Sequence, residues 1–381
     1  MTLLRVLFII TLSEMGGAQK VVYNLAAGLN PQEFDITVAC AQGGELVDWL
    51  KSLEQRVKVI EISSLRREIS PWHDLKAFWK LYCLVKKNKF DIVHCHSSKA
   101  GILGRLAAWL AGVPKIFFTA HGWVLNEYQH WSGRLCYTWI ERLAGTVSTK
   151  VVCVSEYDLL KARNLKIAAD DKLVVFYNGL PEPETQEGLL RNELGIKKND
   201  LVIGTVARLA PQKDPLFLLK VAEGMICRQN CTGAGRLYFV LIGDGPLRPE
   251  CENFINSKGL SGRVFLLGTR EEAAKLVRDF DIFVLFSRWE GLPLTIIEAM
   301  MASRPVVASA VGGVGELVVP SETGLLIEQL DVNEAEKALL HLIYDPGKRL
   351  AMGQAGRKRA CRLFNINQMV DQYRELYLAK F

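Results

Sequence analysis

The 381-residue sequence lacks the features that mark several protein classes. No apolar run approaches the roughly 20 residues that a membrane-spanning helix needs. The apolar segment 3–12 is short and has no small-residue cleavage signal after it, so it predicts a first strand and not a secretion signal. Nine scattered cysteines without a Cys-x2-Cys pair favour a reduced, cytoplasmic setting.

Familiar phosphate-binding and metal-binding patterns are also missing. The turn after the first predicted strand is neither a Gly-x-Gly-x-x-Gly fingerprint nor a Gly-x4-Gly-Lys-[Ser/Thr] loop, which argues against a Rossmann dehydrogenase. No Asp-x-Asp with supporting ligands stands at a strand end, so we expect neither a metal nor another cofactor.

The net charge is small and unevenly placed along the sequence. The net charge is +6, and residues 1–183 carry 22 Lys/Arg against 17 Asp/Glu, whereas the remainder carries 25 against 24. The basic excess of the first half suits an anionic partner or an anionic membrane surface. Sequence-specific nucleic-acid binding is not expected, because no motif for it is present.

What the sequence does contain is a regular alternation of short apolar runs with helical patterns. This alternation predicts an α/β protein with two doubly wound parallel-sheet domains. The polar stretch 181–184 predicts a linker, so we expect domains at 1–183 and 184–362, followed by a terminal helix at 363–381. The predicted strands are 4–10, 36–40, 57–62, 92–96, 115–119, 151–154, 173–176, 201–207, 237–242, 264–267, 282–286, 306–308 and 325–327.

The most informative stretch is 281–317, which predicts a strand, a loop, a helix and a second strand. Glu290 lies in the loop, Glu298 lies in the helix, and Gly312-Gly313 follow the second strand. Open α/β sheets bind ligands at the carboxyl ends of their strands, where this loop is expected. A carboxylate there can accept hydrogen bonds from sugar or ribose hydroxyls. The alternative is a pair of solvated surface glutamates.

Two cations flank an earlier strand-to-helix loop. Arg208 and Lys213 follow the predicted strand 201–207 at a spacing that lets both reach one site. Fixed cations stabilise the negative charge that develops on a diphosphate leaving group, and they can replace a metal ion in that role. Surface charges beside a loop are the alternative.

Three features of the first half also fall at strand ends. Gly16-Gly17 would let backbone amides approach a ligand, although a plain tight turn explains them equally well. His121 leaves the fifth strand at a position typical of a site, while a lone histidine is more often structural. His94 and His96 share one face of the fourth strand, and without further ligands we expect them to line a cleft or to satisfy backbone groups, not to bind zinc. Ser97 or Ser98 is expected to cap the next helix.

Aromatic residues form two groups in the first half. The aromatic residues after His121 are expected to form either a platform for the acceptor or part of the core, and core is favoured for Tyr137 and Trp139. The group is Trp123, Tyr128, Trp131, Tyr137 and Trp139. In the helix that follows Trp72, helical spacing predicts a core face of Leu75, Phe78, Tyr82 and Val85. Another face combines tryptophan and lysine, and it suits either an anionic bilayer or plain solvent: Trp72, Lys76, Trp79, Lys80, Cys83 and Lys87.

Taken together, these motifs resemble the retaining GT-B glycosyltransferases of family 4, of the bacterial polysaccharide and lipopolysaccharide type. The matching segments run from Gly16 to about Leu326 in family order, with Thr-x-His-Gly at His121, Arg-x4-Lys at Arg208 and Glu-x7-Glu at Glu290. The resemblance implies two Rossmann-like domains facing each other across a cleft, with the last helix packing back on the first domain.

The resemblance also implies the reaction. A sugar would pass from a UDP- or GDP-sugar to a hydroxyl of a glycan or a polyprenyl-diphosphate-linked acceptor in envelope polysaccharide assembly. Anomeric configuration would be retained by front-face attack, without a metal. The enzyme would be cytoplasmic and peripherally attached to the inner face of the membrane.

The resemblance assigns roles residue by residue. It implies that Arg208, Lys213 and the Gly312-Gly313 loop bind the donor diphosphate, while Glu298 holds the ribose. It places Glu290, Gly291 and Leu292 at the donor sugar, and Gly243, Asp244 and Arg270 near the nucleotide. His121 and the Gly16-Gly17 loop would close over the reacting centre, so the implied catalytic residues are His121, Glu290, Arg208 and Lys213.

Two alternatives stay open at this point. A GT-B nucleotide-sugar epimerase shares the fold but would not usually carry both charged motifs. A non-catalytic partner subunit would be expected to have lost one or more of these charged residues, and all four are present.

Overall fold

The computed structural model describes residues 3–53, 56–123, 131–182, 188–228, 235–328 and 330–381. The chain divides into two compact units. Unit 1 comprises Met1–Gly179 together with Ile366–Phe381, and unit 2 comprises Leu180–Asn365.

Unit 1 is built on a seven-stranded parallel sheet. Its strands are β1 (Leu4–Ile9), β2 (Phe34–Cys40), β3 (Val57–Glu61), β4 (Ile92–His96), β5 (Lys115–Ala120), β6 (Lys150–Cys153) and β7 (Leu173–Val175). Their order is β3-β2-β1-β4-β5-β6-β7. All five residues of β4 are buried, as expected of a central parallel strand that is covered by helices on both faces.

Helices cover both faces of this sheet. They are α1 (Gly17–Gly28), α2 (Glu45–Lys51), α3 (Pro71–Asn88), α4 (Ser98–Ala111), α5 (Trp131–Thr146), α6 (Glu156–Asn164) and, from the end of the chain, α15 (Ile366–Leu378). Helix α1 packs against α2 and α15, whereas α3 packs against α4 and α4 against α5. Right-handed crossovers therefore place α3, α4 and α5 in one layer on the opposite face from α1.

Unit 2 has a six-stranded parallel sheet. Its strands are β8 (Leu201–Val206), β9 (Leu237–Ile242), β10 (Val264–Leu266), β11 (Ile282–Leu285), β12 (Val306–Ser309) and β13 (Gly324–Ile327), in the order β10-β9-β8-β11-β12-β13. The helices are α7 (Leu189–Leu194), α8 (Pro215–Arg228), α9 (Arg248–Ser257), α10 (Ala273–Leu276), α11 (Leu294–Met301), α12 (Val314–Leu317), α13 (Val332–Tyr344) and α14 (Pro346–Leu363).

The α/β class and the two Rossmann-like domains are confirmed, and each predicted strand is present to within two residues. The predicted boundary between 183 and 184 lies outside the described residues. The observed division falls at Gly179/Leu180, because the Leu180 amide donates to the Phe364 carbonyl oxygen at 2.9 Å and so joins the end of α14. Helix α15 begins at Ile366, three residues after the predicted start of the terminal segment.

Helix α3 buries a different stripe from the predicted one. Ala77, Leu81 and Val85, spaced by four residues, are buried, and Phe78 and Tyr82 pack partly against the same core. The prediction for Leu75 is wrong, because its side chain is 50% exposed. Helix α3 packs against α4, whose buried residues are mostly small: Ala100, Gly101, Gly104, Arg105, Ala107 and Ala108.

Candidate functional site

In unit 2, most of the predicted site residues gather where the strand order of the sheet reverses. Strands β8 and β11 are neighbours in the sheet, but β9 follows β8 in the chain and lies on its other side. Such a switch point opens a crevice at the carboxyl ends of the strands, because the two following loops leave in opposite directions. The loop after β8 carries Arg208 and Lys213, and the loop after β11 carries Glu290.

The two loops are joined directly at this point. Lys213 Nζ donates to Glu290 Oε1 at 2.5 Å, and the two side chains are only 19% and 5% exposed. The Gln212 side chain donates to the Trp289 carbonyl oxygen at 2.9 Å. The ion pair fixes the Lys213 ammonium, while the exposed Arg208 side chain has no ion pair among the described residues.

Close backbone approaches explain two of the predicted glycines. A Cβ on Gly312, which has φ +58°, would lie 1.9 Å from the Glu290 carbonyl oxygen, and the Gly313 amide donates to the Gly291 carbonyl oxygen at 2.8 Å. The loop after β12 therefore packs against the loop that carries Glu290. A Cβ on Gly243, which has φ +134°, would lie 2.1 Å from the Ala207 carbonyl oxygen.

The remaining predicted residues of unit 2 differ in how far they are buried and in which strand they follow. Glu298, on α11, is 7% exposed, and Leu292 is 5% exposed, so Leu292 can offer a ligand only its backbone. Asp244 accepts from Arg248 Nη1 at 3.1 Å. Arg270 follows the edge strand β10, two strands away from β8, and pairs with Glu193 at 2.5 Å.

Unit 1 has a switch point of its own, between β1 and β4. Gly17 is the first residue of α1 and Gly16 is its N-cap, so both predicted glycines lie in the loop after β1. Ser97 occupies the N-cap position of α4, as predicted, but its side chain makes no capping hydrogen bond. Its hydroxyl instead accepts from the Thr11 amide at 3.2 Å and lies 2.9 Å from Thr11 Oγ1, which joins the ends of the two strands. Sequence reasoning missed this pair, because nothing local to Ser97 indicates a partner 86 residues away.

His94 and His96 are buried on β4, and His121, just after β5, is half-buried beside them. His94 Nε2 lies 2.8 Å from Thr119 Oγ1, and His94 Nδ1 lies 2.5 Å from the Tyr377 hydroxyl of α15. His96 Nδ1 and His121 Nε2 share a hydrogen bond of 3.0 Å. Burial lowers the pKa of His94 to about 3 and of His121 to about 4, and it holds the pKa of His96 well below 6.5. All three are therefore neutral at pH 7, and His94 links β5 to α15 through its contacts with Thr119 and Tyr377.

His121 borders a cavity of about 200 Å³ at the carboxyl end of β5. The lining residues are Ala18, Ser97, Ser98, Phe118, Ala120, His121, Gly122 and Trp123. The N-terminal turn of α1 and a neutral imidazole thus face one small space, which can receive a polar substrate group. In the part of the chain that the structure describes, no group of three or more His, Cys, Asp or Glu side chains could hold a metal ion.

The aromatic residues after His121 do not form one platform. Trp123 is 6% exposed and belongs to the core, Tyr137 is partly buried against it, and Tyr128 lies outside the described residues. The prediction that Trp139 is a core residue is wrong, because its side chain is 61% exposed, and Trp131 is 72% exposed.

The predicted tryptophan and lysine face of α3 is exposed along its whole length. Among the described residues, no helix has the length and apolarity needed to span a bilayer.

Comparison with known proteins gives matches along nearly the whole chain. The model of the family described as Glycosyltransferase Family 4 matches residues 15–182, and the one described as Glycosyl transferases group 1 matches residues 186–359. The chain is 34% identical over 370 residues to the UDP-Gal:alpha-D-GlcNAc-diphosphoundecaprenol alpha-1,3-galactosyltransferase of Escherichia coli, covering 96% of this chain and 94% of that protein. It is 30% identical to an uncharacterized glycosyltransferase of Methanocaldococcus jannaschii, over 77% of each chain.

Solved structures show the same fold at lower identity. The Anabaena protein HepE, in complex with UDP-glucose, has a TM-score of 0.83 and 22% identity over 98% of both chains. WaaG, a glycosyltransferase involved in lipopolysaccharide biosynthesis, has a TM-score of 0.80 and 14% identity over 98% of this chain and all of that one.

Proposed function

Since this chain belongs to glycosyltransferase family 4, and so is an enzyme that transfers a sugar, we propose that its donor is a UDP-hexose and its acceptor a polyprenyl-diphosphate-linked glycan. The observation that carries the proposal is the Lys213–Glu290 pair beside Arg208 at the switch point of unit 2. The name of the Escherichia coli relative supports UDP-galactose as the first donor to test and a diphosphoundecaprenol-linked sugar as the first acceptor.

Each proposed role in unit 2 follows from the position of the residue. Arg208 and Lys213 bind the diphosphate and stabilise the charge that develops on it as the glycosidic bond breaks. Glu290 positions Lys213 through Oε1, and its other carboxylate oxygen accepts from a donor-sugar hydroxyl. Glu298 accepts from the ribose hydroxyls, and the Gly312-Gly313 turn supplies backbone amides to the phosphates.

In unit 1, the acceptor domain of the proposal, the neutral His121 donates a hydrogen bond to the substrate. A neutral imidazole is suited to this role, because one of its ring nitrogens carries a proton that it can donate. We further propose that the product keeps the anomeric configuration of the donor, and that no divalent metal is needed because the two cations of unit 2 stabilise the diphosphate.

The first test measures donor choice. Titration calorimetry with UDP-galactose, UDP-glucose, UDP-N-acetylglucosamine and GDP-mannose should give the tightest binding for a UDP-hexose. Turnover with a synthetic GlcNAc-diphosphopolyprenol, followed by NMR of the anomeric proton, reports the linkage. A product of inverted configuration would refute retention, and isomerisation of the donor without transfer would refute the proposed reaction.

The second test removes the cations. Arg208→Met should lower turnover roughly 10²–10³-fold, the effect of losing one transition-state hydrogen bond, with little change in stability because the side chain is exposed. Lys213→Met should lower turnover as much and also destabilise unit 2, because it leaves the Glu290 carboxylate buried without its partner. Lys220→Met, at an exposed lysine on α8, is the matched control. Unchanged rates in both site variants, or loss of activity in EDTA with rescue by magnesium, would contradict these assignments.

A further inference from the structure

Helix α5 exposes its large apolar side chains. Trp131, Leu135, Trp139 and Leu143 recur every four residues and are 72%, 53%, 61% and 58% exposed. Residues at this spacing lie on one side of a helix, so they form a continuous apolar stripe along all of α5. A stripe of this kind normally faces the core.

The opposite side of α5 holds the helix in this orientation. Its buried residues are Thr138, Glu141, Ala144 and Gly145, none of them a large apolar residue. Glu141 pairs with Arg105 of α4 at 2.5 Å, and these side chains are only 1% and 0% exposed. A Cβ on Gly145 would lie 1.9 Å from the Ile167 carbonyl oxygen. Rotating α5 to bury its stripe would break a buried ion pair and a close backbone contact, so the apolar side stays outside.

Helix α3 adds a second exposed tryptophan face in the same layer. Trp72 and Trp79 are 75% and 54% exposed, and α4 lies between α3 and α5 in the layer. Because helices run antiparallel to the strands in a doubly wound sheet, Trp72 and Trp131, at the starts of their helices, lie near the carboxyl edge of the sheet. The cavity beside His121 lies at the same edge.

The exposed charges of α3, α4 and α5 are all positive. Helices α3, α4 and α5 are described in full and contain only two acids, Asp74 and Glu141. Asp74 pairs with Lys99 at 2.7 Å, and Glu141 is the buried partner of Arg105. The exposed cations between the apolar residues include Lys76, Lys80 and Arg134.

We propose that the exposed side of α3 and α5 docks on an anionic phospholipid bilayer, with the α5 stripe inserted at the interface. Tryptophan, leucine and basic residues on one surface fit the boundary between headgroups and acyl chains. A second copy of the chain is a poorer partner, because a symmetric contact through this side would bring its exposed cations together.

This inference deepens the proposed function, since a polyprenyl-linked acceptor is reached only at a membrane. Contact with a bilayer would cover the exposed tryptophans of α5. The anionic headgroups would attract the excess of basic residues in unit 1.

The experiment is co-sedimentation with vesicles of phosphatidylcholine alone and of equal parts phosphatidylcholine and phosphatidylglycerol, at low and high salt. The full chain should bind the anionic vesicles, and more weakly at high salt. Acyl-chain-brominated lipid should quench its tryptophan fluorescence, since the stripe reaches the acyl boundary.

Two variants separate the apolar and the charged contributions. Trp131→Ser/Trp139→Ser should lower vesicle partitioning at least tenfold and remove most of the quenching. Lys76→Glu/Lys80→Glu should lower partitioning at least about 25-fold, from about fivefold for each cation. The controls are Tyr344→Ser, an aromatic 57% exposed in unit 2, and Lys220→Glu/Lys337→Glu, which makes the same change in net charge.

Absence of vesicle binding, or equal binding by all variants, would overturn the docking surface. So would self-association lost in Trp131→Ser/Trp139→Ser without vesicle binding, because a second copy would then cover the stripe. UDP-sugar affinity measured on the same preparations keeps the two proposals apart. Donor binding without vesicle binding refutes only the surface, and vesicle binding without donor binding refutes only the proposed donor.

Discussion

At the scale of single residues, one proton determines which atom His121 offers to its cavity. His96 Nε2 is buried and has no hydrogen-bond partner among the described residues. A buried N–H without an acceptor is rarer than an unused acceptor, so we expect His96 to carry its proton on Nδ1 and to donate to His121 Nε2. The neutral His121 then carries its own proton on Nδ1. His96 is thus a positioning residue for His121.

This assignment predicts different effects for two substitutions at one position. His96→Leu should lower turnover several-fold, because part of the His121 population then carries its proton on Nε2. His96→Asn should recover much of the rate, because its amide can donate from near the Nδ1 position. Nitrogen-15 NMR of labelled histidine should show the Nδ1–H tautomer of His121 in the wild type and in His96→Asn, and a mixture in His96→Leu. His341→Leu, at an exposed histidine of unit 2, is the control, and equal tautomer signals in all proteins would contradict the assignment.

At the scale of elements, the Arg105–Glu141 pair joins α4 to α5. Arg105 Nε also donates to the Gly101 carbonyl oxygen at 2.7 Å, and its guanidinium lies 4.1 Å from the Phe118 ring centroid. Removing one member of a buried pair leaves the other charge without a partner, whereas replacing both by apolar residues restores a neutral interior.

We therefore expect Glu141→Ala to lower the free energy of unfolding by about 3–5 kcal/mol. Arg105→Met/Glu141→Leu should be clearly more stable than that single variant. Urea denaturation followed by circular dichroism measures both. Lys58→Ala, which removes one member of the exposed pair with Asp35, should have a much smaller effect. If the double variant were as unstable as Glu141→Ala, the unpaired charge would not be the cause of the loss. The packing of α4 against α5 would then depend on the geometry of the ion pair itself.

At the scale of the whole molecule, the end of the chain completes the core of unit 1. Tyr373 and Tyr377 of α15 are almost fully buried, and their hydroxyls contact Thr119 and His94. Arg374 donates to both carboxylate oxygens of Glu33, at 2.6 and 2.5 Å, which lowers the pKa of that carboxyl. Helix α15 therefore belongs to the fold of unit 1 and helps to keep its histidines neutral.

This burial predicts that unit 1 loses stability in mild acid. The three histidines have folded-state pKa values below the unfolded value of about 6.5, so the unfolded chain binds more protons. Stability should be complete above about pH 6.5 and should fall as the pH is lowered toward about 4. Each histidine contributes at most about 1.4 kcal/mol per pH unit. Urea titrations at pH 7.5, 6.5 and 5.5 measure the slope, and His94→Gln should reduce it. A flat profile above pH 5 would show that these imidazoles are not buried neutral groups.

The sequence by itself determined the architecture and the position of the loops that carry Arg208, Lys213 and Glu290. Alternating apolar runs set the strands, because β-branched and aromatic residues favour fully buried parallel strands wherever they recur between helices. Arg208, Lys213, Glu290 and Gly312 were predicted from local order alone, since a loop that leaves a parallel strand must lie at the carboxyl edge of the sheet. The functional roles assigned to them remain predictions.

Only the tertiary structure decided which distant residues meet. Strand order brought Lys213 to Glu290 and Thr11 to Ser97, because neighbours in a doubly wound sheet come from far apart in the chain. The same order joined Arg105 to Glu141, and that buried pair leaves Trp139 exposed, although the sequence favours core for it. Helical spacing shows which residues share a face, but the direction of that face depends on what the opposite side must bury.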